Sequence, residues 1–231
     1  LVIIVMANIR EGELFREPRA AGPTTIREGF RYVMARPDLF VVMSAVFFVT
    51  TFGLNFQLFN ALMATKVFDK GVTSFGLMGT VIAIGSLSAA LFSPRIEQYR
   101  STKFVIASSI VFGISIFIIA FMPTFLTYMI MLPIAGAGAL TTLIASNSTV
   151  QTNSDSAVRG RILGIYQFVL LGGAPLVTPI LGLFSEAFGI RRTIVLCALI
   201  TILAPTAIWL KFKDRIAVPA DISIAAVLKT A

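Results

Sequence analysis

From residue 104 to residue 154 the chain carries no Asp, Glu, Lys, Arg or His. A surface facing water needs charge, and this run cannot supply any. A helix crosses the hydrocarbon core of a membrane with about 20 largely apolar residues, so the run is too long for one crossing. It is interrupted at Met122-Pro123-Thr124, where proline cannot continue a helix. That predicts two spans, 103–122 and 124–148. Four further charge-free runs, 39–65, 71–94, 162–185 and 193–210, bring the expected spans to six. Spanning β-strands would show alternating polarity over segments of about ten residues; these runs are continuous and about twice as long. Composition agrees: 57% of the 231 residues are hydrophobic and 13% charged, against about a quarter charged in an ordinary soluble domain, and the mean hydropathy is +0.90. The expected fold class is an all-α membrane protein, a bundle of six transmembrane helices.

The same composition excludes some chemistry. A single cysteine, Cys197, leaves neither an intrachain disulfide nor a cysteine metal cluster. There is no histidine, so histidine metal sites and histidine acid–base catalysis are absent. An intramembrane enzyme would need a nucleophile with a base, or metal ligands, at depth; serines and threonines are there, a base is not. The reading is therefore of a protein that is no enzyme and takes no metal and no cofactor.

The net charge of +8 does not point to nucleic acid, because the bases follow the spans. If the loops alternate sides from the segment before residue 39, one side collects fifteen of the nineteen: Arg10, Arg16, Arg19, Arg27, Arg31 and Arg36, then Arg95, Arg100 and Lys103, then Arg159 and Arg161, then Lys211, Lys213, Arg215 and Lys229. The other side holds Lys66, Lys70, Arg191 and Arg192. Cytoplasmic loops carry the Lys/Arg excess, so both ends and the 153–161 loop are expected in the cytoplasm, with the chain multi-pass in the cell (inner) membrane.

Within "NSDSAVRGRILGIYQF" (153–168) the two arginines do more than mark topology. Asn153, Ser154 or Asp155 can cap the following helix, and Arg159 and Arg161 then fall in its first turns. Cations there oppose the positive end of the helix dipole, so a compensating acid on another helix, or a lipid phosphate, is expected. Before the first span, "TIREGFRYVMARPDL" opens with a Thr25-x-x-Glu28 capping box and places Ile26, Phe30, Val33 and Met34 on one face. It reads as a helix lying along the membrane interface or packed on the end of the bundle. Residues 1–7, "LVIIVMA", read as the last turns of a preceding membrane helix, 8–38 as a cytoplasmic linker, 39–210 as the bundle and 211–231 as a cytoplasmic tail.

These features together resemble the C-terminal half of a major facilitator superfamily transporter. "EGFRYVMARPDL" resembles the linker end of the branch that includes macrolide and enterobactin exporters, the transmembrane secretion effectors. "VRGRILGIYQF" resembles that branch's loop between helices ten and eleven, and "GGAPLVTPILGLFSEAFGIRR" its helix eleven and the turn after it. The resemblance covers the chain except its last 20 residues or so and implies half of a twelve-helix fold.

It also implies roles. The superfamily's signature loop has a weaker copy between helices eight and nine, which here reads "SPRIEQYRSTK"; Glu97 fits its acidic position, the expected glycines are missing, and a short solvated turn is the other reading. Arg159 and Arg161 would pair with the acidic signature loop of the other half and close a cytoplasmic gate, with Glu97 doing the mirror-image work. Helices seven and ten line the cavity in the family. In the corresponding spans Gln57 and Asn60 share a face three residues apart, Asn147 and Gln151 share one four residues apart, and Thr141 lies deeper; these are candidates for substrate contact, or for helix–helix hydrogen bonds. The small pairs Gly79/Ala83, Gly85/Ala89 and Gly136/Gly138, with Gly172-Gly173, mark close packing, and Pro175 and Pro179 should bend the fifth span.

The function implied is secondary active transport by rocking of two halves around a central site, by export of a small apolar or amphipathic molecule. Partners would be the substrate, membrane lipid, the N-terminal half and, if transport is proton-coupled, protons. Apart from Lys103 at the edge of the 103–122 span, no Asp, Glu, Lys, Arg or His lies inside the six spans, so a coupling carboxylate would belong to the other half. Two alternatives are a membrane protein that binds a partner through its basic loops without transporting, and an uptake symporter of the same superfamily.

Overall fold

The computed structural model describes residues 26–97, 99, 101–156 and 158–216, with the side chains of 26, 96 and 97 excepted. The expected helix remnant, the start of the linker, Thr25 of the capping box and the end of the tail lie outside these residues. Eight helical elements follow in order: α1 (Ile26–Ala35), α2 (Pro37–Val67), α3 (Val72–Leu91), α4 (Ser93–Glu97), α5 (Thr102–Ala120), α6 (Phe125–Asn153), α7 (Arg159–Phe188) and α8 (Ile190–Ile216). All but α1 and α4 are long and apolar enough to cross a membrane. Among the described residues there is no strand.

Local chemistry sets the boundaries. Pro37 occupies the first turn of α2, where its missing N–H costs nothing. The Ser101 hydroxyl accepts from the Phe104 N–H and caps α5. Thr124 and Thr127 cap each other reciprocally at the start of α6, directly after the expected break at Pro123. Arg191 ties the start of α8 to the end of α5, donating to the carbonyls of Ala120 (2.7 Å) and Met122 (2.8 Å), which satisfies orphan groups at a negative helix end. Gly189 turns α7 into α8 with φ of +86°, a conformation glycine adopts without strain.

The spans pack around α2, which touches α1, α3, α5, α6, α7 and α8. Of its most apolar stretch 61% is buried, against 17% for α3 and for α7, so those two spans flank a side this bundle does not cover. Burying leucine in a membrane gains little, because lipid tails are as apolar as leucine; close packing and interhelical hydrogen bonds hold the helices. Two of the expected small-residue contacts bring backbones together: a Cβ on Gly85 would strike the backbone of Pro133, and one on Gly136 the backbone of Ile82. Through them α3 and α6 touch backbone to backbone, and Ser86 donates to the Gly136 carbonyl (3.2 Å). Gly79, in contrast, faces open space.

Two spans are interrupted. In α2 a wide π-type turn, Val49–Gly53, runs into Leu54 (ψ 25°) and Asn55 (ψ 36°) before the helix resumes at Phe56. In α7 the ladder opens at Gly173, just before Pro175. Proline cannot bond the carbonyl four residues back, and so the expected bend falls a turn earlier than Pro179.

α1 packs on the bundle with one face. Gly29, Tyr32 and Val33 are buried against the bundle, while Phe30 and Met34 stay exposed.

Candidate substrate path and gate

The two interrupted helices meet at their breaks. A Cβ on Gly173 would collide with the Thr51 hydroxyl. The Asn55 amide donates to the Thr51 carbonyl (2.7 Å), recovering a group that the open ladder of α2 frees, and the Thr178 hydroxyl donates to Asn55 Oδ1 (2.6 Å). Among the described residues the fully buried Thr51 hydroxyl has no hydrogen-bond partner. A buried polar group left unpaired is costly, and here it sits where two main chains lose their regular bonding. Discontinuous helices tend to mark the site in transporters.

The sequence candidates separate around this crossing. Gln57 is exposed on α2, a turn beyond the break. Asn60, three residues on, is buried, and its Oδ1 accepts from the Tyr128 hydroxyl of α6 at 2.8 Å. One of the two therefore faces outward and the other joins two helices. Thr141 and Asn147 are half-buried on α6, and Asn147 Oδ1 accepts from Gln151 (2.6 Å). At 1.5 Å per residue, Gln57 lies roughly 30 Å along α2 from its start, while Asn147 lies roughly 9 Å from the end of α6 on that same bilayer side. They sit at different depths and do not form one pocket.

At the basic end Arg159 and Arg161 occupy the first turn of α7, both exposed, with no acidic residue in that turn. Arg159 donates to the Ser154 carbonyl (3.3 Å), and among the described residues neither arginine makes an ion pair. The expected side-chain cap does not form: Val158 is the capping residue, and Asp155 is drawn instead to Tyr32. Glu97 ends α4, and its side chain lies outside the described residues.

Sequence reasoning missed a polar cluster at this end. Arg36 grips Asp38 with both arms of its guanidinium (3.0 and 2.9 Å), and Asn153 at the end of α6 donates to Asp38 (3.0 Å) while its carbonyl accepts from Arg36 (3.3 Å). The Tyr32 hydroxyl of α1 donates to Asp155 (3.3 Å) and accepts from Arg36 (3.5 Å). The ion pair is mostly enclosed, with side chains 12% and 14% exposed. Asp38 also suits the positive end of α2. The bond from Asp38 holds the Arg36 guanidinium more firmly protonated than usual, and burial raises the Tyr32 phenol. The signal was present: an acid follows a base across Pro37, and both 36–38 and 153–155 fall on the same expected side.

A family model described as transmembrane secretion effector matches residues 2–226. The chain belongs to this family. It is a multi-pass membrane protein of the major facilitator type, and its six-span bundle corresponds to one half of the superfamily's twelve-helix fold. A multidrug efflux pump, Tap, of Mycolicibacterium fortuitum is 25% identical over 170 residues, which is 73% of this chain and 41% of the pump. The chain thus matches less than half the length of that relative.

Proposed function

We propose that this secretion-effector half serves export of a small apolar or amphipathic molecule by alternating access, with its basic end in the cytoplasm of a cell whose inner membrane it spans. The observation that carries the reading is Gln57. An exposed amide well inside a span cannot face hydrocarbon cheaply, so it faces a water-containing path shared with the other half of the fold. The path passes the α2–α7 crossing, with Thr141 and Asn147 of α6 at greater distance toward the cytoplasm. The relation to an efflux pump and the lack of fixed charge in the spans favour export of poorly charged molecules.

Arg159 and Arg161 form the cytoplasmic gate in this reading. Among the described residues they make no ion pair at this positive helix end, and an acid on the other half would offset both charges. Glu97 is assigned the mirror-image role. A charge-assisted hydrogen bond is worth about 1.5–3 kcal/mol, so losing one shifts the inward–outward balance by about tenfold or more. In the full-length protein Arg159→Ala with Arg161→Ala keeps expression and topology, opens the inward face and slows release of a lipophilic fluorescent dye from loaded vesicles. Lysine at both positions restores only part, lacking the bidentate fork. Unchanged dye flux with both arginines gone removes the gate role. No flux in the unmodified protein, with any of a panel of such dyes, favours the partner-binding alternative.

A further inference from the structure

On the α5–α8 side of the basic end lies a groove of about 660 Å³, away from the crossing and the gate. Its walls are Ile106, Ala107 and Ile110 of α5 and Trp209 of α8, and Lys103 and Lys213 stand at its mouth. The two lysines come from the start of α5 and the end of α8, which the up-and-down order of the spans brings to the same bilayer face. Both are exposed, and among the described residues neither is tied up in an ion pair. Asp214 shares the rim, but Lys211, Lys213 and Arg215 on the same helix end leave it outnumbered.

We propose that this groove is a binding site for one anionic phospholipid, with the phosphate between Lys103 and Lys213 and an acyl chain along Ile106, Ala107 and Ile110. Charge and shape both argue for a lipid over a free anion. The cations sit only at the mouth, while the floor is apolar and continues into the depth of the bilayer. Basic pockets between membrane helices on the cytoplasmic side take anionic head groups, and a half-buried tryptophan at the rim suits headgroup depth. The site does not depend on which molecule is transported.

Trp209 is the single tryptophan of the 231 residues, and it lines the groove, so it reports occupancy directly. The chain is reconstituted in phosphatidylcholine bilayers containing equal small fractions of lipid brominated near the headgroup end of its acyl chains. Brominated phosphatidylglycerol should quench Trp209 more strongly than brominated phosphatidylcholine, with an apparent preference of roughly fivefold for each lysine engaged. Lys103→Gln with Lys213→Gln should bring the preference close to one. Ala107→Phe, which fills the groove and leaves every charge in place, should lower it too. Equal quenching by the two lipids overturns the site. A preference that survives the lysine substitutions, or one untouched by Ala107→Phe, overturns it as well, since lipid then gathers at the basic surface in general. Stronger quenching by brominated phosphatidylethanolamine than by phosphatidylglycerol would overturn the anionic assignment and point to Asp214 reading an ammonium.

Discussion

At the scale of single residues, pairs that look alike in the sequence separate by what lies opposite them. Gln57 and Asn60 are both amides on one span, yet Asn60 is held by Tyr128 and Gln57 is not buried. Tyr128→Phe removes the donor and leaves Asn60 buried, and since such bonds average about 0.6 kcal/mol within membranes and reach about 1.7, a loss near the upper end is expected. Unfolding in mixed detergent micelles measures it, and Asn60→Leu added to Tyr128→Phe should restore part of the loss. The glycines divide similarly. Gly173→Ala forces a methyl group onto Thr51 and should cost about 1–3 kcal/mol, whereas Gly79→Ala, facing open space, should be neutral or slightly stabilising in the same assay.

At the scale of elements, the cluster of Arg36, Asp38, Asn153, Tyr32 and Asp155 fastens α1 to the ends of α2 and α6. Arg36→Ala leaves Asp38 with one donor and strips Tyr32 of a neighbour. Hydrogen exchange across residues 27–35 should then accelerate by about tenfold, in line with one lost charge-assisted bond, while exchange in α5 stays as it was. The pH dependence follows from the two raised groups. Arg36 and Tyr32 both contribute in their protonated forms, so the fastening is complete below the ordinary phenol range near pH 10 and is lost as pH rises through the raised values. Protection of α1 should therefore be flat from about pH 6 to 9. The spans themselves were legible in the sequence because the absence of charge is a local property. So were Pro123 and the contacts at Gly85 and Gly136, each set by one residue type. The break in α2 was not. Gly53-Leu54-Asn55 carries no proline, and the irregular turn depends on neighbours distant in sequence: Phe112 packed against Gly53, and Thr178 bonded to Asn55. The fastening cluster was overlooked for a related reason. Its two halves, 32–38 and 153–155, lie more than a hundred positions apart, and Arg36 was already accounted for as a topological charge.

At the scale of the whole molecule, the bundle is asymmetric in a way that fits its family. α2 is enclosed, whereas α3 and α7 present large apolar side chains such as Leu87, Leu91, Phe168 and Leu176 outward. The charge pattern predicts the sides: cysteine placed at Ser101 or Ser156 should react with an impermeant reagent from the cytoplasm alone, and at Thr73 from outside alone. Reaction of positions 101 and 156 from opposite faces would require an odd number of crossings between them and would break the six-span order. The central claim is that the face of α2 bearing Gln57 lines a path opened alternately to the two sides. Its most direct measurement is accessibility of Gln57→Cys in the full-length protein, with Asn60→Cys as the buried control; the native Cys197 is buried and stays silent. The account predicts that a small hydrophilic thiol reagent modifies position 57 from both sides of the membrane, that a transported dye slows the modification, and that position 60 resists it. Labelling of position 57 from neither side, or no difference between positions 57 and 60, would contradict it.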